Sequence, residues 1–571
     1  MDLKETFASF IMEQKTVSVW VRLEPFLLGA LPTPPPAKFS MHYLRKMSTY
    51  VRTRAKDGCF PRIYWPMWKH IACGKLQLPA ELAWVYFEAF DMLTEKSVED
   101  RLEWAEAASQ CTSQEELDQL RHTLSVDTLQ FLLFLYIQQL NRVSLRTSLI
   151  GEEWPSPRTR SPSPEIESKS SLQNKNWDDQ AHLTFVQTHL FDLLELVLDP
   201  DQLSSSGHHV QDSLLSTEAL CGLSFLLEGS VSRGRSVHLL HELLLWAPLQ
   251  SQAGFSKLSQ AFSVRKLQGW LHDTLTSNPF GTTACFKTGK KLAWVQQIEG
   301  KMKRAKIVRN THNAPAGSRV VIISQVYKQT LAKDSEKLIG ASVKLHRCNE
   351  SFIYLLSPMR SVIIEKCWNS TIVLGPVQTT VHVQNCQDVK VVCVTGKISV
   401  CASSFCTLHV LTPTRPLLLA GNEALTLAPY HTHYPALEDH MAIIGLAVVP
   451  NVWDQPLCLG ADGIENPSTP VYSLLSPSDF YEFVVPFEME GDTSEIPGGL
   501  PPLYQKALID RKQKVHTWQK MVKEAQLSKE QRKQFKAVVE QKFHEWLCET
   551  GQKQQLDSLI PPSTISKQAA G

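Results

Sequence analysis

Short apolar runs recur at a nearly constant interval in the second half of the chain. They are rich in β-branched residues and separated by polar or Gly/Pro punctuation, and cysteines close them at intervals of 19, 19 and 20 residues: Cys348, Cys367, Cys386 and Cys406. A repeat near 20 residues that holds several short strands is typical of a β-solenoid, whose stacked coils bury one continuous core. The pattern therefore predicts stacked parallel coils over residues 318–420.

The repeat also predicts which side chains share a column, because equivalent residues of neighbouring coils lie one strand spacing apart. Ile353, Ile372 and Val391 are expected to form one inward column, with Val410 continuing it. The cysteines are expected to form a second column of unbonded thiols, since a thiol is small and apolar enough for a tight corner. A zinc site is the alternative, but the chain has no C-x-x-C pair, on which structural zinc sites rely.

The first half of the chain carries helical periodicity. Residues 1–150 are predicted to be a helical region, in which the apolar face of Ala80–Leu93 recurs at helical spacing. Ser125 is expected to cap the run VDTLQFLLFLYIQQL, which is apolar almost all round and therefore central to a helical core. The eleven aromatic residues within Phe60–Phe134 could form a binding stripe, but helical core is the favoured interpretation.

Residues 151–179 are predicted to be a disordered linker, because the stretch has few aliphatic residues and many Ser, Pro and charged residues. Ser156, Ser161 and Ser163 each precede a proline near arginines. Phosphorylation by a proline-directed kinase and an unmodified linker both remain open. A second helical region is predicted at 180–303.

The C-terminal third divides into three parts. Residues 304–449 are assigned to the β-helix domain, with Met441–Val449 as a last apolar strand, and residues 450–502 to a loop-rich extension. Residues 503–571 are predicted to be a basic amphipathic helical tail, broken or bent near Ser528. Such a helix can pack on its own protein, pair with another helix or lie on an acidic surface, and packing on its own protein is the default.

Composition limits the partners. The 571 residues include 58 Lys and Arg against 57 Asp and Glu, so overall charge favours neither nucleic acid nor membrane, and a charge-driven partner needs a local patch. Thirteen cysteines without paired spacing and a charged N-terminal sequence predict a reducing compartment and no secretory signal. The longest apolar runs are about half of the ~20 residues that span a bilayer. We expect a soluble intracellular protein with no nucleic-acid partner and no transmembrane segment.

No enzymatic or metal-binding motif is complete. His241-Glu242 begins like the zinc-protease H-E-x-x-H, but Leu245 stands where the second histidine is needed. His431 and His433 could contribute to a metal site, but a third ligand is missing, and exposed turn histidines are the favoured interpretation. We therefore predict no catalytic, cofactor-binding or metal-binding residues and no bound cofactor.

Three features of the repeat region stand together. They are the cysteine ladder, the flanking strands at Ser318–Tyr327, and the closing HTHYPALEDH, in which Tyr434–Leu437 reads Y-P-A-L. They resemble the C-CAP/cofactor C-like domain of the tubulin-binding cofactor C family, which has a Y-P-x-L element after its last coil. The resemblance covers about 304–449 and implies a right-handed parallel β-helix. With its helical front half and basic tail, the whole chain resembles the centrosome-associated members of that family.

In that family the domain acts as a GTPase activator toward tubulin or a small GTPase, through one arginine in a stretch resembling C-Q-Q-x-R. An arginine finger neutralises charge that builds on the transferring phosphoryl group. An ungapped alignment places Ser399 at the arginine position and Gly396-Lys397 at the glutamine pair. Arg415 lies almost a full coil later, and Lys397 lacks the planar donors of a guanidinium. The resemblance therefore predicts that the catalytic arginine is absent.

We expect a non-catalytic cytoskeletal adaptor. The resemblance implies residence in the cytoplasm at the centrosome, a microtubule organising centre, and at spindle poles. It also implies roles in centrosome and Golgi positioning, cell shape and migration. Implied partners are proteins of the centrosome or microtubule cytoskeleton, with tubulin or a small GTPase among the candidates. The alternatives are a GTPase-activating protein for tubulin or a small GTPase, and a tubulin-folding cofactor. Residue 399 is the feature that discriminates between adaptor and activator.

Overall fold

A computed structural model describes most of the chain. The described residues are 17–54, 61–142, 175–199, 210–231, 236–291, 305–310, 314–333, 336–446, 450–460, 471–486 and 488–549. Most of the predicted linker, including Ser156, Ser161 and Ser163, lies outside them. The last five linker residues are described, and Lys175–Trp177 forms a 3-10 helix in which Trp177 is buried.

Helices fill the front half of the chain, as predicted. They span Met41–Arg52, Trp65–Lys69, Ala80–Asp91, Val98–Gln110, Gln114–Arg121, Thr128–Ile137, Asp179–Thr188, Leu190–Leu196, Thr217–Leu223, Leu240–Leu243, Ala247–Gln252, Val264–Thr274 and Thr282–Thr288. Three small antiparallel sheets lie between them: Ser18–Val21 with Leu227–Ser230 and His238–Leu239, Leu214–Ser216 with Ala261–Ser263 and Phe255–Ser256, and Ile63–Tyr64 with Ser125–Val126.

Aromatic residues form the core of this helical region, in agreement with the favoured interpretation. Thr128–Ile137 is buried all round. Neighbouring aromatic rings meet mostly edge to face, which is a favourable geometry for aromatic pairs, and the fully buried ones include Trp68, Phe87, Phe90, Phe131 and Phe134.

One helix cap differs from the prediction. The side chain of Asp127, not of Ser125, accepts a hydrogen bond from the N–H of Gln130 at the start of Thr128–Ile137. Ser125 instead pairs with Tyr64 in a short strand. Both residue types are suitable caps, and the strand pairing decides between them.

Two parallel sheets form the β-solenoid, which makes about six turns between residues 320 and 429. The first sheet contains Val320–Ser324, Ser342–His346, Ser361–Glu365, Val377–Gln384, the second half of Gln387–Cys401, and Leu417–Leu418. The second contains Thr330–Lys333, Phe352–Leu355, Trp368–Leu374, the first half of Gln387–Cys401, Thr407–Leu411 and Leu425–Pro429. Further strands extend the sheets at their ends: Lys290–Lys291, Lys306–Arg309, Leu457–Cys458 and Tyr472–Leu474.

The first predicted column is confirmed for three of its four members. Ile353, Ile372 and Val391 pair in register and are fully buried. The next member is Leu408, so the predicted place of Val410 is wrong. The step from Val391 to Leu408 is 17 residues, two fewer than the preceding steps of 19. Because of this short coil, the column continues two residues earlier than a constant coil length predicts.

The cysteine column is confirmed for three members and wrong for the fourth. Cys348, Cys367 and Cys386 are buried free thiols, and the N–H of Cys348 lies 3.4 Å from the Sγ of Cys367. Ser403 continues the column, because its Oγ accepts from the N–H of Cys386 at 3.1 Å. Cys406 lies three residues further along the short coil and outside the column.

The coils turn at a repeated corner. Each corner has two residues in the left-handed conformation three positions apart, with φ between 44° and 81°, in the pairs Gln325/Lys328, Arg347/Glu350, Lys366/Asn369, Asn385/Asp388, Ala402/Phe405 and Gly421/Ala424. A left-handed conformation costs roughly 1 kcal/mol or more for a residue with a Cβ. The surrounding sheets therefore impose this corner, which marks the register of all six coils.

The segment after the last coil covers the second sheet. Helix Leu437–Ile443 replaces the strand predicted at Met441–Val449, which is therefore wrong; residues 447–449 lie outside the described residues. Leu437 and Met441, four positions apart, share the face that packs on the sheet. Gly445 at φ 65° follows the end of this helix, where a left-handed glycine is favoured. The buried contact set comprises Tyr354, Leu356, Val373, Val392, Val394, Leu411, Tyr430, Tyr434, Leu437, Met441 and Val485.

Two long helices, Pro502–Glu524 and Lys529–Glu549, confirm the predicted break near Ser528. Ser528 begins the second helix with reciprocal hydrogen bonds to Gln531, the arrangement of a capping box. The rings of Trp518 and Phe535 are 5.9 Å apart, so the second helix folds back along the first. Within the described part of the chain, no helix is both long and apolar enough to cross a bilayer.

Candidate functional site

Ser399 lies on the outer side of the first sheet. Its neighbours Ile398 and Val400 are in the solenoid core, and side chains alternate along a strand. Ser399 belongs to an outward column that pairs from coil to coil: Ile322, Lys344, Ile363, His382, Ser399 and Leu417. We call this column, together with Lys397, the covered face, because Ser399 is only 7% exposed.

The helical region covers this face. Leu23, Leu27 and Trp177 pack with Ile322 and Ile363 in one buried cluster. Leu417, at the other end of the column, belongs to the core of the helical region. Between these ends, a cavity of about 30 Å³ lies beside Ser399, which is room for about one water molecule.

His382 is the hydrogen-bond partner of Ser399. Its Nδ1 lies 2.7 Å from the Ser399 Oγ, and both residues are buried. Burial lowers the pKa of His382 to about 4, so the ring is neutral near pH 7. A hydroxyl beside a neutral imidazole could act as a nucleophile with its base. However, the cavity of about 30 Å³ beside this pair is too small for a substrate.

Lys397, which the sequence alignment places with Gly396 at the family's glutamine pair, is also buried. It is 5% exposed, and its Nζ has no hydrogen-bond partner among the described residues. Burial lowers the pKa of Lys397, and the charge of Glu88 opposes this shift. Burial likewise raises the pKa of Glu88, and Lys397 opposes that shift. Glu88 belongs to Ala80–Asp91 of the helical region, so Lys397 faces the cover and not solvent.

The arginines near this face are already engaged. Arg415 donates to the carbonyl oxygens of Gln455 and Pro456 at 2.9 and 3.0 Å, and its Nη1 lies 2.8 Å from Glu81 of the helical region. Arg360 makes a similar contact, since its Nε donates to Glu24 at 2.7 Å. Both guanidinium groups therefore join the solenoid to its cover, and neither projects as a finger would.

A cleft of about 660 Å³ opens beside the covered face, between the helical region and the solenoid. Its charged lining residues largely pair with one another: Lys96 lies 2.5 Å from Asp91, and Arg121 lies 3.1 Å from Asp118 and stacks on Trp84. The Thr112 hydroxyl in its lining donates to the Glu116 carboxylate at 3.0 Å, and hydrogen bonds from Thr112 lower the pKa of Glu116, which makes this carboxylate a weaker base.

The expectation of exposed turn histidines is wrong for His431. This residue is fully buried and stacks on His409, with ring centroids 3.6 Å apart, beside Phe480 and Phe483. Burial lowers the pKa of His409 to about 3 and that of His431 well below its usual value. The part of the chain that the structure describes contains no cluster of three or more His, Cys, Asp or Glu side chains arranged to hold a metal ion.

The fold defines a cofactor C-type β-solenoid, and Ser399, the residue predicted at the position of the finger, is buried in it. Comparisons with known proteins agree with this class. The family model "Tubulin binding cofactor C" matches residues 340–457. Relatives named "TBCC domain-containing protein 1" from Homo sapiens and Bos taurus are each 62% identical over 560 residues, which is 98% of this chain and 100% of theirs. The relative of that name from Danio rerio is 63% identical over 562 residues, 98% of this chain and 96% of its own. This chain belongs to the family of TBCC domain-containing proteins.

The cover over Ser399 was not predicted from the sequence. One signal was present: the strands VVIIS and SVIIE are apolar at outward as well as inward positions. Continuous apolar strands are typical of sheets buried on both faces. The sequence alone does not tell that residues near Leu27 and Trp177 supply the second layer.

Proposed function

We propose that this tubulin cofactor C-like protein is a non-catalytic adaptor of the microtubule cytoskeleton. Its solenoid acts as a scaffold and does not activate a GTPase. The protein works in the cytoplasm at the centrosome and spindle poles, with roles in centrosome and Golgi positioning, cell shape and migration. The resemblance of the whole chain to centrosome-associated members of the family supports this cellular assignment.

The burial of Ser399 carries the proposal. A GTPase activator must bring a guanidinium to the γ-phosphate of a bound nucleotide. Here the side chain at that position is a hydroxyl, it bonds to His382, and the helical region lies over it. Both the chemical group and the access of a partner are therefore lost, so replacing the serine alone does not restore activity.

Single-turnover GTP hydrolysis tests the absence of activation. The full chain is added to tubulin, or to small GTPases loaded with GTP, and a cofactor C-type domain that carries the arginine serves as positive control. An arginine finger contributes roughly 10³–10⁵ in rate, so activation is easy to detect. We expect no stimulation by the wild-type chain or by Ser399→Arg. Stimulation that disappears in Arg415→Ala would contradict the proposal and identify Arg415 as the finger.

Fluorescence microscopy tests the cellular assignment separately. The tagged full chain is expected to concentrate at a pericentriolar marker in interphase and at spindle poles in mitosis. Its depletion is expected to displace the centrosome and Golgi, and the Ser399→Ala variant is expected to rescue this defect because no catalytic serine is involved. A uniformly diffuse signal, or normal organelle positions after depletion, would contradict the assignment.

A further inference from the structure

The C-terminal arm, residues 513–549, exposes an unusual amount of apolar side-chain surface. Seven of its large apolar residues are 42–57% exposed: Val515, Trp518, Met521, Val538, Val539, Phe543 and Trp546. Exposed apolar residues that occur singly are normal, whereas a cluster of this size marks an interaction site in a soluble protein. Trp, Phe and Met are also the residues enriched at the centres of protein interfaces.

The root of the arm is fixed to the solenoid. Tyr504 and Leu508 are buried in the solenoid core, and the Tyr504 hydroxyl donates to the carbonyl oxygen of Leu475 at 2.7 Å. Arg511 donates to the carbonyl oxygens of Ser478 and Phe480. Beyond Lys512, all residues of the first helix are exposed except the half-buried Val522. The arm therefore extends from an anchored base with these seven apolar residues exposed to solvent, although Leu547 is buried.

The charge of the arm indicates what covers it. Residues 513–549 contain eight Lys and Arg against five Asp and Glu. Three of these acidic residues already pair within their own helices, in Lys520–Glu524, Lys536–Glu540 and Lys542–Glu545. The remaining basic residues have no ion pair within the described residues: Lys514, Lys523, Lys529, Arg532 and Lys533. The surface therefore has an excess of positive charge that an acidic partner neutralises.

Basic residues also lie within the apolar stripe. Lys514 is four positions before Trp518, Arg532 is three positions before Phe535, and residues at these spacings share a helix face. A helix at a membrane surface keeps its basic residues on the polar face, away from the apolar side, whereas carboxylates of a partner helix can pair with basic residues inside the stripe. A second copy of this chain would bring two positively charged surfaces together, which is unfavourable.

We propose that the C-terminal arm is the docking site for an acidic amphipathic helix of a partner protein. The apolar side of that helix packs against Trp518, Met521 and Phe543, and its carboxylates pair with the basic residues around them. This mode is the helix-in-groove recognition that uses apolar anchors at helical spacing. The proposal does not depend on whether Ser399 is inactive, because the arm is a different surface.

Fluorescence anisotropy with the full chain tests the proposal. The probe is a labelled three-heptad peptide with Leu at the a and d positions and Ala and Glu elsewhere, compared with a version in which Gln replaces Glu. We expect the acidic peptide to bind, to bind more weakly as salt is added, and to lose affinity when Gln replaces Glu. Absence of binding by the acidic peptide, or equal affinity for both peptides, would overturn the proposal.

Two pairs of variants locate the site. Phe543→Ala is expected to weaken binding at least about tenfold, as for a central apolar anchor, whereas Leu258→Ala, fully exposed in the helical region, leaves it unchanged. Lys533→Glu is expected to weaken binding, and Lys257→Glu, also in the helical region, is its matched control. Circular dichroism checks that the arm variants keep their helical content. Equal affinities for variants and controls would place the peptide elsewhere and overturn the proposal.

Two further measurements exclude the other occupants. Sedimentation of the wild-type chain is expected to show a monomer, and vesicles containing phosphatidylserine are expected not to retain it. A dimer that Phe543→Ala dissociates would replace the proposal with self-association. Vesicle binding that Phe543→Ala abolishes would replace it with a membrane surface.

Discussion

The covered face and the C-terminal arm combine similar side chains in opposite ways. Both place basic residues among apolar ones, and both lie outside the solenoid core. The helical region buries the covered face, including Lys397 and Ser399, whereas the arm is anchored to the solenoid core through Tyr504 and Leu508 at its root and leaves seven large apolar side chains exposed. The face that carries Ser399 is therefore an internal surface, and the apolar surface of the arm is exposed elsewhere.

The two surfaces also differ in how their lysine side chains are solvated. Lys397 stays in an interface although burial disfavours its charged form, because the opposing Glu88 compensates part of that cost. The lysine side chains of the arm remain exposed to water, so their charged form has no such desolvation cost. A partner that binds the arm must supply its own carboxylates, whereas the same chain already places Glu88 near Lys397 of the covered face.

The largest loss of stability is expected for Ser399→Arg. The new guanidinium would be buried beneath the helical region, and no carboxylate lines the cavity beside it, so we expect the free energy of unfolding to fall by about 3–5 kcal/mol, as for a poorly paired buried charge. Chemical denaturation measures it. Gln387→Arg, at an exposed position of the same solenoid, is the matched control and should stay within about 0.5 kcal/mol. Equal stability of the two variants would show that the face is open.

A large loss of stability is also expected when a side chain of the solenoid core is truncated. Ile372→Ala removes a fully buried side chain from the column of Ile353 and Val391, and we expect a loss of about 2–5 kcal/mol in thermal or chemical unfolding. Gln387→Ala is a better control than Lys390→Ala, because the Lys390 ammonium contacts the Tyr481 hydroxyl at 3.0 Å. An effect no larger than that of the control would mean that the coil register is wrong.

Acid is expected to lower the free energy of unfolding by a smaller amount, through His382 of the covered face. The folded state holds His382 neutral with a pKa of about 4, whereas an unfolded histidine has a pKa near 6.5. As pH falls from about 6.5 toward 4, the unfolded state binds a proton that the folded state does not, so stability falls. This amounts to about 1 kcal/mol at pH 5.5.

His382→Gln isolates that contribution. The hydrogen bond to Ser399 changes at every pH, so the informative quantity is the difference in unfolding free energy between about pH 8 and pH 5.5. This difference should shrink by about 1 kcal/mol in the variant. An unchanged pH dependence would mean that the imidazole is solvated and the face is not tightly covered.

The smallest change in stability is expected for a substitution in the arm. Met521 is 57% exposed, so Met521→Ala should alter the free energy of unfolding by less than about 0.5 kcal/mol. The same substitution should still weaken binding of the acidic helical peptide. A clear loss of stability would mean that the arm packs on the protein itself, as the default interpretation of the sequence holds, and would erase the contrast with the covered face.

The solenoid could be predicted because its signal is periodic and local. The spacing of Cys348, Cys367 and Cys386 set the coil length, and the column of Ile372 followed from it. The error at Val410 and Cys406 came from one coil of 17 residues, because a constant period cannot anticipate a shorter turn. The repeated left-handed corner was invisible in sequence, since residues as different as Arg347, Asn385 and Phe405 adopt it.

The covering contacts could not be predicted because they are long-range. Glu24 meets Arg360 across 336 positions, and Glu81 meets Arg415 across 334. Local patterns carry no information about such pairs. The same limit explains Met441–Val449: its composition suits a strand, but packing of Leu437 and Met441 on the second sheet selects a helix.

Thiol labelling of Ser399→Cys measures whether the helical region shields residue 399 from solvent. The full chain carries this substitution with the exposed Cys221 and Cys548 replaced by serine, and Glu423→Cys, at an exposed position one coil on, is the matched control. Maleimide labelling of the native protein is followed site by site with mass spectrometry. Cys at 423 should react quickly, and Cys at 399 should react only as fast as the protein unfolds. Equal rates at the two positions in the native protein would contradict the account and reopen the face to a GTPase.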